Sequence, residues 1–171
     1  MISLNREPLD IISLEFPILV NGADKTGASH YSIELLAELY KANNKILFFS
    51  GYEMAKSAIK ERLGDIFDEQ KIRILDDANE EQLMEALKTT PDIESHVLYI
   101  KNFDLYAPET IKEVLKFSRV LFMGDVEKAK AKEDIVAFDW KTKVSFGRPE
   151  VEKYYGVMES SMLSGITHIE Q

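Results

Sequence analysis

The chain has 171 residues, of which 45% are hydrophobic and 30% charged, a composition typical of one globular domain. Its 30 acidic and 21 basic side chains give a formal net charge of −9, which disfavours binding to the phosphate backbone of nucleic acids. The absence of cysteine excludes disulfides, thiol nucleophiles and thiolate metal sites, and the three histidines lack metal-ligand spacing. We therefore expect no metal cofactor and no nucleic-acid partner.

The sequence also lacks the features of a membrane-spanning or exported chain. No stretch approaches the roughly 20 consecutive apolar residues that cross a bilayer. Arg6 and Glu7 place charges where a signal peptide needs an apolar core. We expect a cytoplasmic protein without a membrane span.

Short apolar runs alternate along the chain with amphipathic stretches, which indicates strands alternating with helices. After an N-terminal extension over residues 1–15, the predicted strands cover residues 16–20, 45–50, 72–75, 97–100 and 120–123. The helices predicted after the first four strands cover residues 29–41, 53–63, 80–88 and 108–117. Asn79 and Gln82, three residues apart, have the spacing of a capping box at the start of the third helix.

The remainder, residues 126–171, is predicted to add C-terminal strands and a helix. We expect a lysine-rich helix or turn over residues 127–132, a strand over 135–138 with 144–146 as its continuation, and an amphipathic helix over 149–162. The lysines of the first segment alternate with alanine and are flanked by acidic residues, which indicates a solvated face. Trp140 is predicted to pack on an edge strand or to mark a partner surface, and the aromatic and methionine residues of the last helix fit either a core or an interface.

The predicted strands are continuous apolar runs, which is typical of a parallel sheet covered on both faces. The expected fold is a three-layer α/β/α sandwich with a mostly parallel, about five-stranded sheet, in one domain over residues 1–171. Ligands bind such sheets at the carboxyl ends of the strands. Candidate functional residues are therefore those in the turns that follow the strands.

The turn after the first strand carries the clearest motif, GADKTGAS over residues 22–29. It matches the phosphate-loop pattern G-x-x-x-x-G-K-[ST] at Gly22, Gly27 and Ser29, with Lys25 and Thr26 inside the loop. Ala28 stands where the pattern has lysine. A strand before the motif and a helix after it would bring backbone N–H groups and a helix N-terminus together, an arrangement that binds phosphate.

This motif resembles the phosphate loop of P-loop NTPases of the AAA+ and RecA-like type. The resemblance spans residues 16–125 and implies a RecA-like fold with a Walker B strand, for which VLYIKNFD over residues 97–104 is the counterpart. Lys101 and Asn102 stand where the family has its two carboxylates, and Asp104 follows two residues later. Asp125, after the strand VLFMG, falls near the family's sensor position.

The replaced residues imply that phosphoryl transfer has been lost, because the loop lysine and both Walker B carboxylates support that reaction and Ser29 alone is a weak magnesium ligand. Our first hypothesis is an inactive P-loop-like domain that acts as a protein-binding or assembly module, with a protein partner or a second copy of the chain. The second is ATP or GTP binding with Lys25 or Lys101 in place of the missing lysine. A third is another doubly wound domain that binds a small anion at the same edge.

Lys101 ends a strand that we expect beside the loop strand. Its ammonium would then either reach the loop or pair with an acidic residue, and the candidates are Asp24, Asp104 and Asp125. The other polar residues near this edge have structural interpretations: His30 in the first helical turn, Asp76 in a turn before a helix, and Asp104 as a cap of the turn before Pro108.

Overall fold

The computed structural model describes residues 15–23, 26–42, 44–50, 55–76, 79–147 and 166–170. Seven strands form one sheet: β1 (Ile18–Gly22), β2 (Lys45–Ser50), β3 (Ile72–Asp76), β4 (His96–Lys101), β5 (Val120–Gly124), β6 (Thr142–Phe146) and β7 (Ile166–Glu170). Five α-helices lie in the described residues: α1 (Ala28–Lys41), α2 (Ala55–Leu63), α3 (Glu80–Thr89), α4 (Pro108–Val114) and α5 (Lys132–Ala137).

The strand order across the sheet is β3-β2-β4-β5-β1-β6-β7. The six strands from β3 to β6 run parallel, and β7 pairs with β6 in the antiparallel direction. β1 lies between β5 and β6, so β4 and β5 separate it from β2, the next strand along the chain. The carboxyl ends of β1, β4 and β5 therefore meet at one edge.

Apolar side chains fill both faces of the sheet, because successive residues of a strand point to opposite sides. In β2, Ile46 and Phe48 belong to a core covered by α1 and α2, whereas Leu47 and Phe49 belong to a core covered by α3, α4 and α5. The result is the three-layer α/β/α sandwich expected from the sequence, an architecture consistent with a RecA-like or P-loop-like fold. Among the described residues the sheet has seven strands where about five were expected: β6 covers the predicted continuation over residues 144–146, and β7 is the additional strand.

The five predicted strands are confirmed, with shifts of one or two residues at their ends. The third predicted helix is confirmed together with its cap, because the Asn79 side chain accepts a hydrogen bond from the Gln82 backbone N–H at 3.0 Å. The fourth predicted helix is shorter than expected and ends at Val114. The predicted helix over residues 149–162 lies outside the described residues, and β7 was not predicted.

The strand predicted over residues 135–138 is wrong, since most of this segment belongs to α5. The β-branched run Ile135-Val136 suggests a strand, but Ile135 is buried in the core and Val136 is 62% exposed. The lysine-rich segment before α5 includes a 3-10 turn over Val126–Lys128. Trp140 is buried, packs against Phe122 and Phe138, and donates a hydrogen bond to the Ile135 carbonyl. Its ring therefore packs in the core, but against the central strand β5 rather than the edge strand that was expected.

Within the part of the chain that the structure describes, no helix is both long enough and apolar enough to cross a bilayer.

Candidate functional site

A cavity of about 260 Å³ opens at the carboxyl edge of the sheet, where the start of α1 faces the ends of β4 and β5. One wall comes from the β1–α1 loop and the first turn of α1. The opposite wall comes from the segments that follow β4 and β5. The lining residues are Gly22, Ala23, Gly27, Ala28, Ser29, His30, Asn102, Asp104, Met123, Gly124, Asp125 and Lys128.

The first wall presents the N-terminus of α1. Gly27 precedes the helix with φ 95°, in the left-handed region that glycine adopts without strain, and no side chain caps the helix. The first backbone N–H groups of a helix have no partner within it and carry partial positive charge. This end of α1 is therefore a hydrogen-bond donor that faces the cavity.

Gly22 allows the loop to approach the sheet closely. A Cβ atom on Gly22 would lie 2.7 Å from the Ala28 Cβ, 2.8 Å from the Thr26 Oγ1 and 2.9 Å from the Phe146 Cβ. Thr26 is buried, and its hydroxyl donates to the Ala23 carbonyl at 2.7 Å. Thr26 therefore holds the loop in shape, and its side chain is absent from the cavity lining.

The opposite wall presents two carboxylates, those of Asp104 and Asp125. The Asp125 backbone N–H donates to the Asp104 Oδ1 at 3.3 Å, and the Glu127 backbone N–H donates to the Asp125 Oδ1 at 3.0 Å. A Cβ atom on Gly124 would lie 2.6 Å from the Asp104 Oδ1, so this carboxylate rests directly against the β5 backbone. Asp104 thus orients the end of β5, and the expectation that it caps the turn before Pro108 is wrong.

Two further polar side chains stand at the rim of the cavity. The Lys128 ammonium makes no salt bridge with any described residue. The His30 imidazole is exposed, and its Nε2 lies 3.8 Å from the Glu34 Oε1. The cavity therefore combines two carboxylates and one lysine with the donor end of a helix.

Among the described residues, no cationic side chain stands at the position where the phosphate-loop pattern has lysine. Ala28 stands there and is 2% exposed, packed over Gly22. Asp24 and Lys25 lie outside the described residues, so the structure does not place them.

Lys101 does not reach the cavity, and the expectation that its strand lies beside the loop strand is wrong. β5 separates β4 from β1, and Lys101 is absent from the cavity lining. Burial lowers the pKa of the half-buried Lys101 ammonium, while the Asp76 carboxylate raises it. The carboxylate that raises the pKa of Lys101 is thus that of Asp76 at the end of β3, whereas the sequence analysis considered Asp24, Asp104 and Asp125 as partners.

The strand register explains this pairing. Ser50 at the end of β2 aligns with Asp76 on one side and with Lys101 on the other. Aligned residues of neighbouring parallel strands point to the same face of the sheet, so the two charges share the face that α1 and α2 cover. Asp76 also accepts a hydrogen bond from the Lys56 backbone N–H at 3.3 Å.

Most of the candidate residues identified from the sequence line this one cavity, whereas Lys101 and Thr26 are absent from its lining. Those that line the cavity are Gly22, Gly27, Ser29, Asn102, Asp104 and Asp125. The sequence analysis placed His30 near this edge with a structural interpretation, and it did not single out Lys128, although Lys128 follows the end of β5 by only four residues.

The described residues contain no group of three or more histidine, aspartate or glutamate side chains that could hold a metal ion. The chain matches no protein-family model, and no curated protein matches its sequence.

Proposed function

We propose that this protein is a P-loop-like α/β domain that does not hydrolyse nucleotides and acts as a protein-binding or assembly module. The observation that carries the proposal is the composition of the cavity: Asp104 and Asp125 face the N-terminus of α1, and Ala28 replaces the lysine that would contact phosphates.

The charges of the cavity argue against phosphoryl transfer. That reaction needs positive groups around the transferred phosphoryl, and in P-loop proteins these are the loop lysine and magnesium. Here the wall opposite the helix carries two carboxylates, and Lys128 is the cation at the described rim. A nucleotide triphosphate placed at the start of α1 would therefore meet negative charge.

The size of the cavity also argues against nucleotide binding. Its volume of about 260 Å³ is below the range of about 300–1,000 Å³ that is usual for small-molecule sites. A phosphate group or one long side chain fits this space, whereas most of a nucleotide would extend outside it.

The proposal is tested by isothermal titration and thermal shift with ATP, GTP and ADP, each with and without magnesium, together with an assay of phosphate release. We expect no heat of binding, no thermal shift and no release at millimolar nucleotide. A dissociation constant in the midmicromolar range or tighter, about 6 kcal/mol of binding free energy, or any turnover above the buffer rate would overturn the proposal.

Nucleotide binding with Lys25 in place of the loop lysine is the second candidate, since Lys101, the other lysine considered from the sequence, does not reach the cavity. The observation in its favour is that Ser29 shares the cavity with Asp104 and Asp125. A loop serine and an aspartate are the side chains by which P-loop proteins hold magnesium.

Two variants separate the candidates. If nucleotide binds through Lys25, Lys25→Ala should abolish its affinity, whereas Lys101→Ala should leave it unchanged. Under the first proposal both variants and the parent chain show no nucleotide affinity, and Lys101→Ala alters at most the stability through Asp76.

A further inference from the structure

We infer that the cavity takes a positively charged side chain, an arginine or a lysine, from a basic segment of a partner protein. This inference rests on the proposed function, since it names the partner chemistry of the same cavity. The hydrogen-bonding capacity of the two walls, the volume of the cavity and the charge of the chain support it.

The two carboxylates retain capacity to accept hydrogen bonds. Asp104 receives one bond, from the Asp125 backbone N–H, and Asp125 receives one, from the Glu127 backbone N–H. Neither carboxylate pairs with a cationic side chain of the described residues. An ionised carboxylate accepts several hydrogen bonds, and its strongest partners are guanidinium and ammonium groups.

The first wall supplies the complementary groups for the backbone of such a segment. The N–H groups at the start of α1 lack a side-chain cap, and a peptide carbonyl next to the inserted side chain can accept from them. A peptide therefore offers a cation and acceptors together. A free phosphate offers only negative acceptors, which the carboxylates repel, and a metal ion meets no group of three acidic or histidine ligands among the described residues.

Volume and overall charge also favour this occupant. The cavity of about 260 Å³ accommodates one long side chain. The net charge of −9 attracts basic partners over long range and increases their rate of association. The Lys128 ammonium at the rim repels a second basic side chain on its own side, so the occupant presents one cation to the cavity.

The test uses the whole chain labelled with ¹⁵N and titrated with the capped pentapeptide GGRGG. The matched probe carries citrulline in place of arginine, which keeps the shape and removes the charge. We expect saturable shifts of the amide signals of Gly27, Ser29 and Gly124 with the arginine peptide and an affinity about tenfold weaker with the citrulline peptide.

Two double variants with the same change in net charge identify the binding groups. Asp104→Asn with Asp125→Asn keeps the Oδ1 acceptors and removes both cavity charges. Glu81→Gln with Glu85→Gln removes two exposed charges from α3, which contributes nothing to the cavity lining. We expect the first pair to weaken binding about tenfold or more and the second to leave it within about twofold.

Each of five results would overturn the inference: no binding of the arginine peptide, equal affinity for the arginine and citrulline peptides, equal affinity of the two double variants, shifts that map away from the cavity, or stronger shifts of the cavity amides with inorganic phosphate than with the peptide. If the aspartate variant does not fold, the comparison of arginine with citrulline on the parent chain decides. The nucleotide titration tests the proposed function separately. If neither the peptide nor the nucleotides bind, this inference is rejected and the proposed function stands.

Discussion

Tyr31 and Tyr99 are both almost completely buried in the core beneath α1, but their hydroxyl groups have different environments. The Tyr99 hydroxyl forms a hydrogen bond with the Ser32 hydroxyl at 2.6 Å. The buried Tyr31 hydroxyl has no hydrogen-bond partner among the described residues. A buried polar group without a partner destabilises the folded state, whereas a satisfied one makes a modest net contribution.

Removing each hydroxyl should therefore have opposite effects on stability. We expect Tyr31→Phe to raise the free energy of unfolding by about 1 kcal/mol and Tyr99→Phe to lower it by about 1 kcal/mol. Ser32 keeps its bond to the Ser29 carbonyl at 2.7 Å in the second variant, which limits the loss. Urea unfolding of both variants measures the difference, and a loss of stability in Tyr31→Phe would contradict the assignment of an unsatisfied hydroxyl.

The same two residues predict the response to alkaline pH. Burial raises the pKa of Tyr31 from 10.0 to about 12 and also raises the pKa of Tyr99. Above pH 10 the unfolded chain releases these protons while the folded chain retains them, so rising pH favours unfolding. The stabilising effect is complete below pH 10 and is lost as the pH rises through the folded-state pKa.

We expect the free energy of unfolding to fall between about pH 10 and 12 by roughly 1.4 kcal/mol per pH unit for each of the two tyrosines. Unfolding measured across this range in the parent and in Tyr31→Phe tests the prediction. The variant should show a slope that is smaller by one proton, and identical slopes would show that Tyr31 titrates alike in both states.

At the scale of elements, the junction between β1 and α1 depends on close packing at Gly22. An added Cβ atom would lie within 3.0 Å of three neighbouring side-chain atoms. We expect Gly22→Ala to lower the free energy of unfolding by about 1–3 kcal/mol, since overpacking displaces neighbours or the backbone. Ser118→Ala, at an exposed position, should change it by less than about 0.5 kcal/mol. Thermal unfolding of both variants measures the difference. An unchanged unfolding temperature of Gly22→Ala would mean that α1 can move away from β1 at little cost in free energy.

The start of α3 depends on the cap at Asn79, whose side chain accepts from the Gln82 backbone N–H. Asn79→Ala leaves that donor without its partner and should lower the free energy of unfolding by about 1 kcal/mol. Asn79→Asp keeps the acceptor and places a negative charge at the N-terminus of the helix, so it should retain the stability. Chemical unfolding compares the three chains, and equal stability of the alanine and aspartate variants would contradict a capping role.

At the scale of the whole molecule, the sheet has a deeply buried centre and a less protected edge. β5 pairs with β4 and β1 and is buried along its whole length, whereas β3 pairs only with β2 and is partly exposed. Amides of central strands exchange with solvent only when large parts of a domain unfold, and edge strands open locally.

Hydrogen exchange should therefore rank the strands. We expect the β5 amides to exchange most slowly and the β3 amides at least about tenfold faster, because local opening of the edge requires far less disruption. Exchange followed by nuclear magnetic resonance resolves the two strands. Equal rates would show that the sheet opens only as one cooperative unit.

The alternation of strands and helices could be predicted from the sequence, because apolar runs and amphipathic periods are local properties of the chain. The sequence also predicted the loop between β1 and α1, since Gly22, Gly27 and Ser29 lie within eight residues of one another. It failed over residues 135–138, where the β-branched run lies in α5, with Ile135 buried in the core and its carbonyl accepting a hydrogen bond from the buried Trp140 ring.

Which polar groups meet depends on the order of the strands, which the sequence pattern does not specify. Backbone hydrogen bonds join any two parallel strands equally well, so the apolar runs do not specify that β5 lies between β4 and β1. That order brings Asp104 and Asp125 into one cavity with the start of α1. It also separates Lys101 from the loop and places it on the sheet face that carries Asp76. There burial lowers the pKa of Lys101, and the Asp76 carboxylate partly offsets that shift. Long-range packing of the helices selects the order, and with it the charge of the cavity.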